Sequence, residues 1–171
     1  MTVAGDPASC SLLGSTLRQL AARLRADQRR LHAAVDPADA PRPAASVVRA
    51  RRRAAQLAGS LAVAVAELDQ VGSALQAHSS DLAEALSDAR QLLDRAAAAG
   101  LEQRSGRLAP RWGVAGVADP RATTAQDDLR SELQDRLDSV ESLLRTRRAR
   151  LATTLRRSGD LLATHAEVLR R

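Results

Sequence analysis

Aromatic residues are almost absent from this sequence of 171 residues, which holds one Trp, no Phe and no Tyr. A core without aromatic side chains is built from Leu, Val and Ala. Such a core suits helices that meet along narrow seams better than it suits a sheet or a deep ligand pocket. The composition therefore predicts an all-α fold and disfavours a small-molecule substrate.

Lysine is also absent, and all 26 basic residues are Arg, a usage typical of high-GC genomes that carries no mechanistic implication. Cys10 is the only cysteine, so the sequence gives no sign of an intrachain disulfide. The N-terminus lacks the charged and then apolar pattern of a secretory signal, and no apolar run reaches transmembrane length. We expect a protein made in the cytoplasm, without a transmembrane segment, whose export would be signal-less.

Proline is missing and glycine is rare from Ser46 to Ala99. Apolar residues recur there at spacings of three and four, on one stripe made of Leu57, Leu61, Val65, Leu68, Val71, Leu75, Leu82, Leu86, Ala89, Leu93 and Ala96. This period is that of a helix face, and it predicts a helix over residues 46–99. The stripe weakens at residues 78–81, which leaves open whether the helix is broken there.

Two further stripes predict helices over residues 11–35 and 121–169. The first consists of Leu13, Leu17, Leu20, Leu24, Leu31 and Val35, and the second of Leu129, Leu133, Leu137, Val140, Leu144, Leu151, Leu155, Leu162 and Leu169. Residues 1–10 are expected to be flexible, and the proline-rich segment after Val35 to be a linker. The glycine- and proline-rich residues 100–120 are expected to form a loop.

These elements predict a single elongated domain over residues 11–171. Its two long helices form an antiparallel, coiled-coil-like hairpin closed by the loop, called here the tip, and the shorter N-terminal helix packs at the other end. The first helix spans roughly 37 Å and the second roughly 80 Å. The tip half is therefore expected either to be thin and Ala-packed or to be covered by another chain.

Formal charge is unevenly distributed along the chain. Residues 1–60 hold ten Arg and four acids, residues 61–144 eight Arg and fourteen acids, and residues 145–171 eight Arg and two acids. A hairpin brings the first and last of these segments together at an anion-facing pole, for which we select Arg49, Arg51, Arg52, Arg53, Arg147 and Arg148. A solvated surface and head-to-tail association of opposite poles are the alternatives to an anionic partner.

The sequence offers no catalytic motif, no phosphate-binding glycine loop, no cofactor motif and no metal-ligand spacing. The three histidines, His32, His78 and His165, do not converge in the predicted hairpin. An enzyme and a metal site are therefore not expected.

The tip contains the only aromatic residue of the sequence, Trp112, beside Arg111 and Gly113. Its indole is expected either to cap the seam between the helices or to serve as an exposed anchor in a partner's groove.

Two long Ala-rich helices joined by a segment with Trp and Gly resemble the Trp-X-Gly helical hairpins of actinobacterial type VII secretion and related substrate N-terminal domains. The resemblance covers roughly residues 57–169 and centres on the segment LAVAVAELDQVGSALQAHSSDLAEALSDARQLLDRAAAAGL. It implies a non-catalytic protein that pairs with another helical hairpin. Trp112 is followed directly by Gly113, so the spaced motif is not met, and without Tyr there is no Tyr-based export signal.

The leading hypothesis is a non-catalytic helical interaction protein that forms a homo-oligomer or binds a similar helical partner in type VII secretion or a comparable cell-envelope system. The alternative is a nucleic-acid or anionic-surface binder that acts through the Arg-rich pole. The lack of stacking aromatics makes nucleic acid the weaker of the two partners.

Overall fold

The computed structural model describes residues 5–35, 45–111 and 120–170. Within these ranges the chain folds into three helices, α1 (Pro7–Val35), α2 (Ala45–Ala98) and α3 (Pro120–Arg170). Two four-residue strands, β1 (Leu101–Arg104) and β2 (Arg107–Pro110), lie between α2 and α3. The predicted all-α class with a shorter N-terminal helix is confirmed.

The helix bounds differ from the prediction mainly at the first helix. Residues 7–10, predicted to precede the helix, form its first turn. Proline is favoured at the first helical position because its missing N–H would have no partner there, and Asp6 stands at the preceding capping position. α2 continues through residues 78–81 without a break. The predicted linker after Val35 lies outside the described residues.

The chain divides into two compact units. Unit 1 comprises Met1–Pro7 and His78–Ala149, and unit 2 comprises Ala8–Ala77 and Arg150–Arg171. α2 and α3 each contribute a segment to both units.

In unit 1 the α2 and α3 segments run antiparallel. Arg147 on α3 pairs with Asp81 on α2 at 2.9 Å, and further along both helices Gln126 Nε2 donates to the Ala99 carbonyl at 3.3 Å. The seam combines leucines with small residues, which let the helices approach closely. Its buried core residues are Leu82, Ala85, Ala89, Leu92, Ala96, Leu133, Leu137 and Leu144. The described seam of unit 1 thus contains five buried leucines and three buried alanines, and coverage of this half by another chain stays a prediction.

The predicted tip loop contains a β-hairpin over residues 101–110. β1 and β2 are antiparallel, and their turn consists of Ser105 and Gly106, which have φ angles of 49° and 85°. Positive φ at both central residues is the signature of a type I′ turn, whose twist matches that of the flanking strands. Leu101 and Leu108 are buried in the same cluster as Leu133. The hairpin thus contributes two leucines to the core of unit 1.

Unit 2 contains three helical segments. α1 lies antiparallel to α2, since Arg18 hydrogen-bonds Gln76 at 3.0 Å and Gln28 donates to the Ala58 carbonyl at 3.1 Å. α3 also lies antiparallel to α2. The buried apolar residues are mostly small: Ala21, Ala54, Ala58, Val65, Val71 and Leu75.

Candidate functional site

The contact between α1 and α2 is built on two glycines. A Cβ placed on Gly14 would lie 2.7 Å from the backbone oxygen of Gly72, and one placed on Gly72 would lie 2.6 Å from Arg18 Cγ. Only glycine lets the two backbones come this close. Ala21, two turns after Gly14, is fully buried on the same face of α1.

This close approach leaves leucines of α1 exposed. Leu12, Leu13 and Leu20 are 70%, 52% and 43% exposed. Leu13 and Leu20 were predicted to lie in the seam, and this prediction is wrong because the small residues Gly14 and Ala21 face α2 instead. We call these three residues the α1 leucine surface. It spans about two turns of one side of the helix.

Exposed apolar side chains are concentrated in unit 2. Five of the six large apolar residues that are exposed in the described ranges belong to it, namely Leu12, Leu13, Leu20, Val47 and Leu155. The sixth, Leu143, lies in unit 1. Scattered apolar residues are normal on a protein surface, but several on one helix face are typical of an interaction site.

Two polar pairs join α2 to α3 inside unit 2. Ser158, only 1% exposed, donates from Oγ to Glu67 Oε2 at 2.6 Å. His165 Nδ1 lies 3.5 Å from the hydroxyl of Ser60, which is also buried. Hydrogen bonds between partly buried polar groups help to fix the register of neighbouring helices, because a shift would leave the buried serine hydroxyls unpaired.

An open cleft of about 930 Å³ lies next to the Ser60–His165 pair in unit 2. It lies between the early turns of α2 and the last turns of α3. Its lining is Arg49, Arg52, Arg53, Gln56, Leu57, Gly59, Ser60, Thr164, His165 and Glu167. Among the described residues, three guanidinium groups and one carboxylate therefore face the same space.

The arginines of the predicted anion-facing pole are distributed over both units. Arg49, Arg51, Arg52 and Arg53 belong to unit 2, whereas Arg147 and Arg148 belong to unit 1. Arg49, Arg52 and Arg53 meet at the cleft. Arg147 forms ion pairs with two carboxylates of α2, those of Asp81 at 2.9 Å and Glu84 at 3.7 Å.

The partner surface predicted at the tip is described only at Arg111, since Trp112 and Gly113 lie outside the described residues. Arg111 is exposed, and its backbone N–H donates to the Gly100 carbonyl at 2.9 Å.

The histidines do not form a metal site in the part of the chain that the structure describes. His32 and His165 belong to unit 2 and His78 to unit 1. No group of three or more His, Cys, Asp or Glu side chains that could hold a metal ion is present among residues 5–35, 45–111 and 120–170. Within the same ranges, no helix is both long enough and apolar enough to span a bilayer.

The α1 leucine surface and the cleft were not identified from the sequence as sites of interaction. The Gly14 and Gly72 pair was a signal for the first, since two glycines within otherwise regular helices indicate a close backbone approach. Arginines at positions 49, 52 and 53 were a signal for the second, because this spacing places them on one helix face. Comparison of the chain with protein-family models, curated proteins and solved structures gave no match.

Proposed function

We propose that the protein is a non-catalytic helical interaction protein that pairs with itself or with a similar helical partner through the α1 leucine surface. The observation that supports this proposal is the exposure of three leucines on one side of α1. Burying them against a second helix would remove apolar area from water at about 25 cal/mol per Å².

The composition of unit 2 also supports the proposal. Its buried apolar residues are mostly small, and three of its leucines on α1 are exposed. A helix from another chain could lay its apolar face against these leucines and so add apolar contacts to unit 2. Amphipathic helices bind apolar grooves of partner proteins in the same way. Unit 1 has buried leucines from α2, α3 and the β-hairpin, and Leu143 is its only exposed large apolar residue in the described ranges.

Sedimentation velocity of the full chain over a range of protein concentrations tests self-pairing. We expect a concentration-dependent shift from monomer to a larger species, and we expect the double variant Leu13→Gln/Leu20→Gln to weaken association at least about tenfold. The matched control is Leu143→Gln, which changes an exposed leucine of unit 1 and should leave association unchanged. Equal behaviour of both variants, with intact helical circular dichroism, would exclude the α1 leucine surface.

Residues 57–169 resemble the Trp-X-Gly helical hairpins of type VII secretion, and we therefore extend the proposal to that system or to a comparable cell-envelope system. In this setting the protein is made in the cytoplasm and leaves the cell, if it is exported, with a partner that carries the export signal. A tagged chain recovered from its native host with and without nuclease tests this. Recovery of a helical partner by the wild type but not by Leu13→Gln/Leu20→Gln is the expected result. Capture that requires nucleic acid would favour the anionic partner.

A further inference from the structure

The cleft of unit 2 gathers positive charge from three arginines of α2. Arg52 and Arg53 follow Arg49 by three and four positions on α2, so the three guanidinium groups share one helix face. Among the described residues, no carboxylate lies within ion-pair distance of Arg49 or Arg52. Among the described residues of the lining, Glu167 is the only acidic one. These described residues therefore carry a net positive charge.

The position of these arginines along α2 adds to the local positive potential. α2 begins at Ala45 without an acidic residue in its first turn, and the three arginines follow within its first three turns. Like charges at spacings of three and four residues repel. A bound anion would offset this repulsion.

The remaining lining residues indicate which anion fits. Gln56, Ser60, Thr164 and His165 supply hydrogen-bonding groups, and Leu57 supplies an apolar wall. Guanidinium groups bind phosphate through two parallel hydrogen bonds. The volume of about 930 Å³ exceeds what one inorganic phosphate needs and lies in the range of small-molecule sites. None of the described residues that line the cleft is aromatic, which disfavours base stacking by single-stranded nucleic acid.

We propose that this cleft binds the phosphate groups of a small phosphorylated molecule, with Arg49 and Arg52 as the main phosphate contacts. Gln56 and Thr164 add hydrogen bonds. The site shares no residue with the α1 leucine surface, so it stands or falls independently of the proposed function. The cleft includes three of the six arginines that were predicted from the sequence to form an anion-facing pole.

Isothermal titration of the full chain with sodium tripolyphosphate, and separately with ATP and adenosine, tests this site. We expect tripolyphosphate and ATP to bind at physiological ionic strength and adenosine not to bind. The variant Arg49→Gln/Arg52→Gln should weaken both phosphate ligands about tenfold or more. The matched control is Arg156→Gln/Arg157→Gln, which removes the same charge from exposed positions of α3 in unit 2 outside the cleft and should change the affinity less than about threefold.

The variant Arg49→Lys/Arg52→Lys keeps the charge and removes the paired hydrogen bonds of the guanidinium. This Lys variant tests the site if the Gln variant does not fold. It should also bind tripolyphosphate more weakly than the wild type. Equal losses in the cleft and control variants would overturn the proposal in favour of diffuse charge attraction. So would the absence of tripolyphosphate binding up to about 1 mM. Binding to vesicles containing phosphatidic acid, or to duplex DNA, without binding of tripolyphosphate or ATP would overturn it in favour of an anionic surface.

Discussion

At the scale of single residues, the arrangement of unit 2 depends on Gly14 and Gly72. Each lies opposite the backbone of the other helix at a distance that leaves no room for a Cβ. Glycine costs a helix up to about 1 kcal/mol relative to alanine. Two glycines in helical positions are therefore explained by the close contact of α1 and α2, which also determines which leucines of α1 are exposed.

Gly72→Ala is expected to destabilise the protein by about 1–3 kcal/mol. The new methyl group would lie 2.7 Å from the Gly14 carbonyl oxygen, which is backbone and can move only if α1 shifts. Urea unfolding followed by circular dichroism measures the change. Gly159→Ala is the control, because a Cβ there meets no atom within 4 Å and the substitution should stabilise α3 by about 0.5–1 kcal/mol. A Gly72→Ala protein at least as stable as the wild type would refute the close contact.

At the scale of the secondary-structure elements, the β-hairpin is what completes the core of unit 1. Leu101 and Leu108 bring two leucines into the cluster around Leu133. Gln134 on α3 holds the second strand, because its Oε1 accepts a hydrogen bond from the Leu108 backbone N–H at 2.9 Å. The hairpin is thus anchored to α3 by apolar packing and by a side-chain hydrogen bond.

Gly106→Ala is expected to cost about 1–2 kcal/mol, because φ is 85° at this position and a Cβ is strained there. Urea unfolding of the full chain and the exchange rate of the Leu108 amide measure the effect. Ser105→Asn is the comparison variant, since Asn tolerates positive φ and Asn-Gly is the favoured pair for this turn. It should leave the stability unchanged or raise it. A Gly106→Ala protein as stable as the wild type would show that this turn does not support the core.

The helices could be predicted from the sequence because their stripes extend over many turns. Val65, Leu82 and Leu133 were placed in the seam by spacing alone, and all three are buried. The strands are only four residues long, so the glycine and proline around them suggested a loop. The Ser105–Gly106 pair between two leucine-containing runs was the available signal. The face of α1 was mispredicted because a count of apolar residues ranks Leu13 above Gly14, whereas close backbone packing selects the glycine.

The cleft depends on residues far apart in the chain, and this limits what the sequence could show of it. Arg49 and Arg52 were selected by their charge. Their association with Thr164 and His165 requires the register of α2 against α3, which the Ser158–Glu67 and Ser60–His165 pairs help to fix. The spacing of apolar residues along a helix does not reveal which of several registers its partner adopts.

At the scale of the whole molecule, the two units differ in how much apolar side chain they bury. Unit 1 buries seven leucines of the described chain: Leu82, Leu92, Leu101, Leu108, Leu133, Leu137 and Leu144. Among its described residues, unit 2 buries one leucine, Leu75, together with smaller residues and the hydroxyls of Ser60 and Ser158. A buried leucine contributes about 1.5–3 kcal/mol, so we expect the core of unit 1 to be the stronger of the two.

Native-state hydrogen exchange of the full chain, measured by mass spectrometry, should therefore separate the units. The free energy of opening is expected to be at least about 2 kcal/mol lower for the amides of unit 2 than for those of unit 1, although α2 and α3 contribute helical segments to both. Comparing the two segments of α2 with each other controls for helix type.

Leu133→Ala should reduce or reverse this difference in the free energy of opening, since it removes about 2–5 kcal/mol from the core of unit 1. Equal protection along α2 in the wild type would mean that the chain opens as one cooperative structure. In a protein that pairs through the α1 leucine surface, raising the protein concentration should increase protection in unit 2 first.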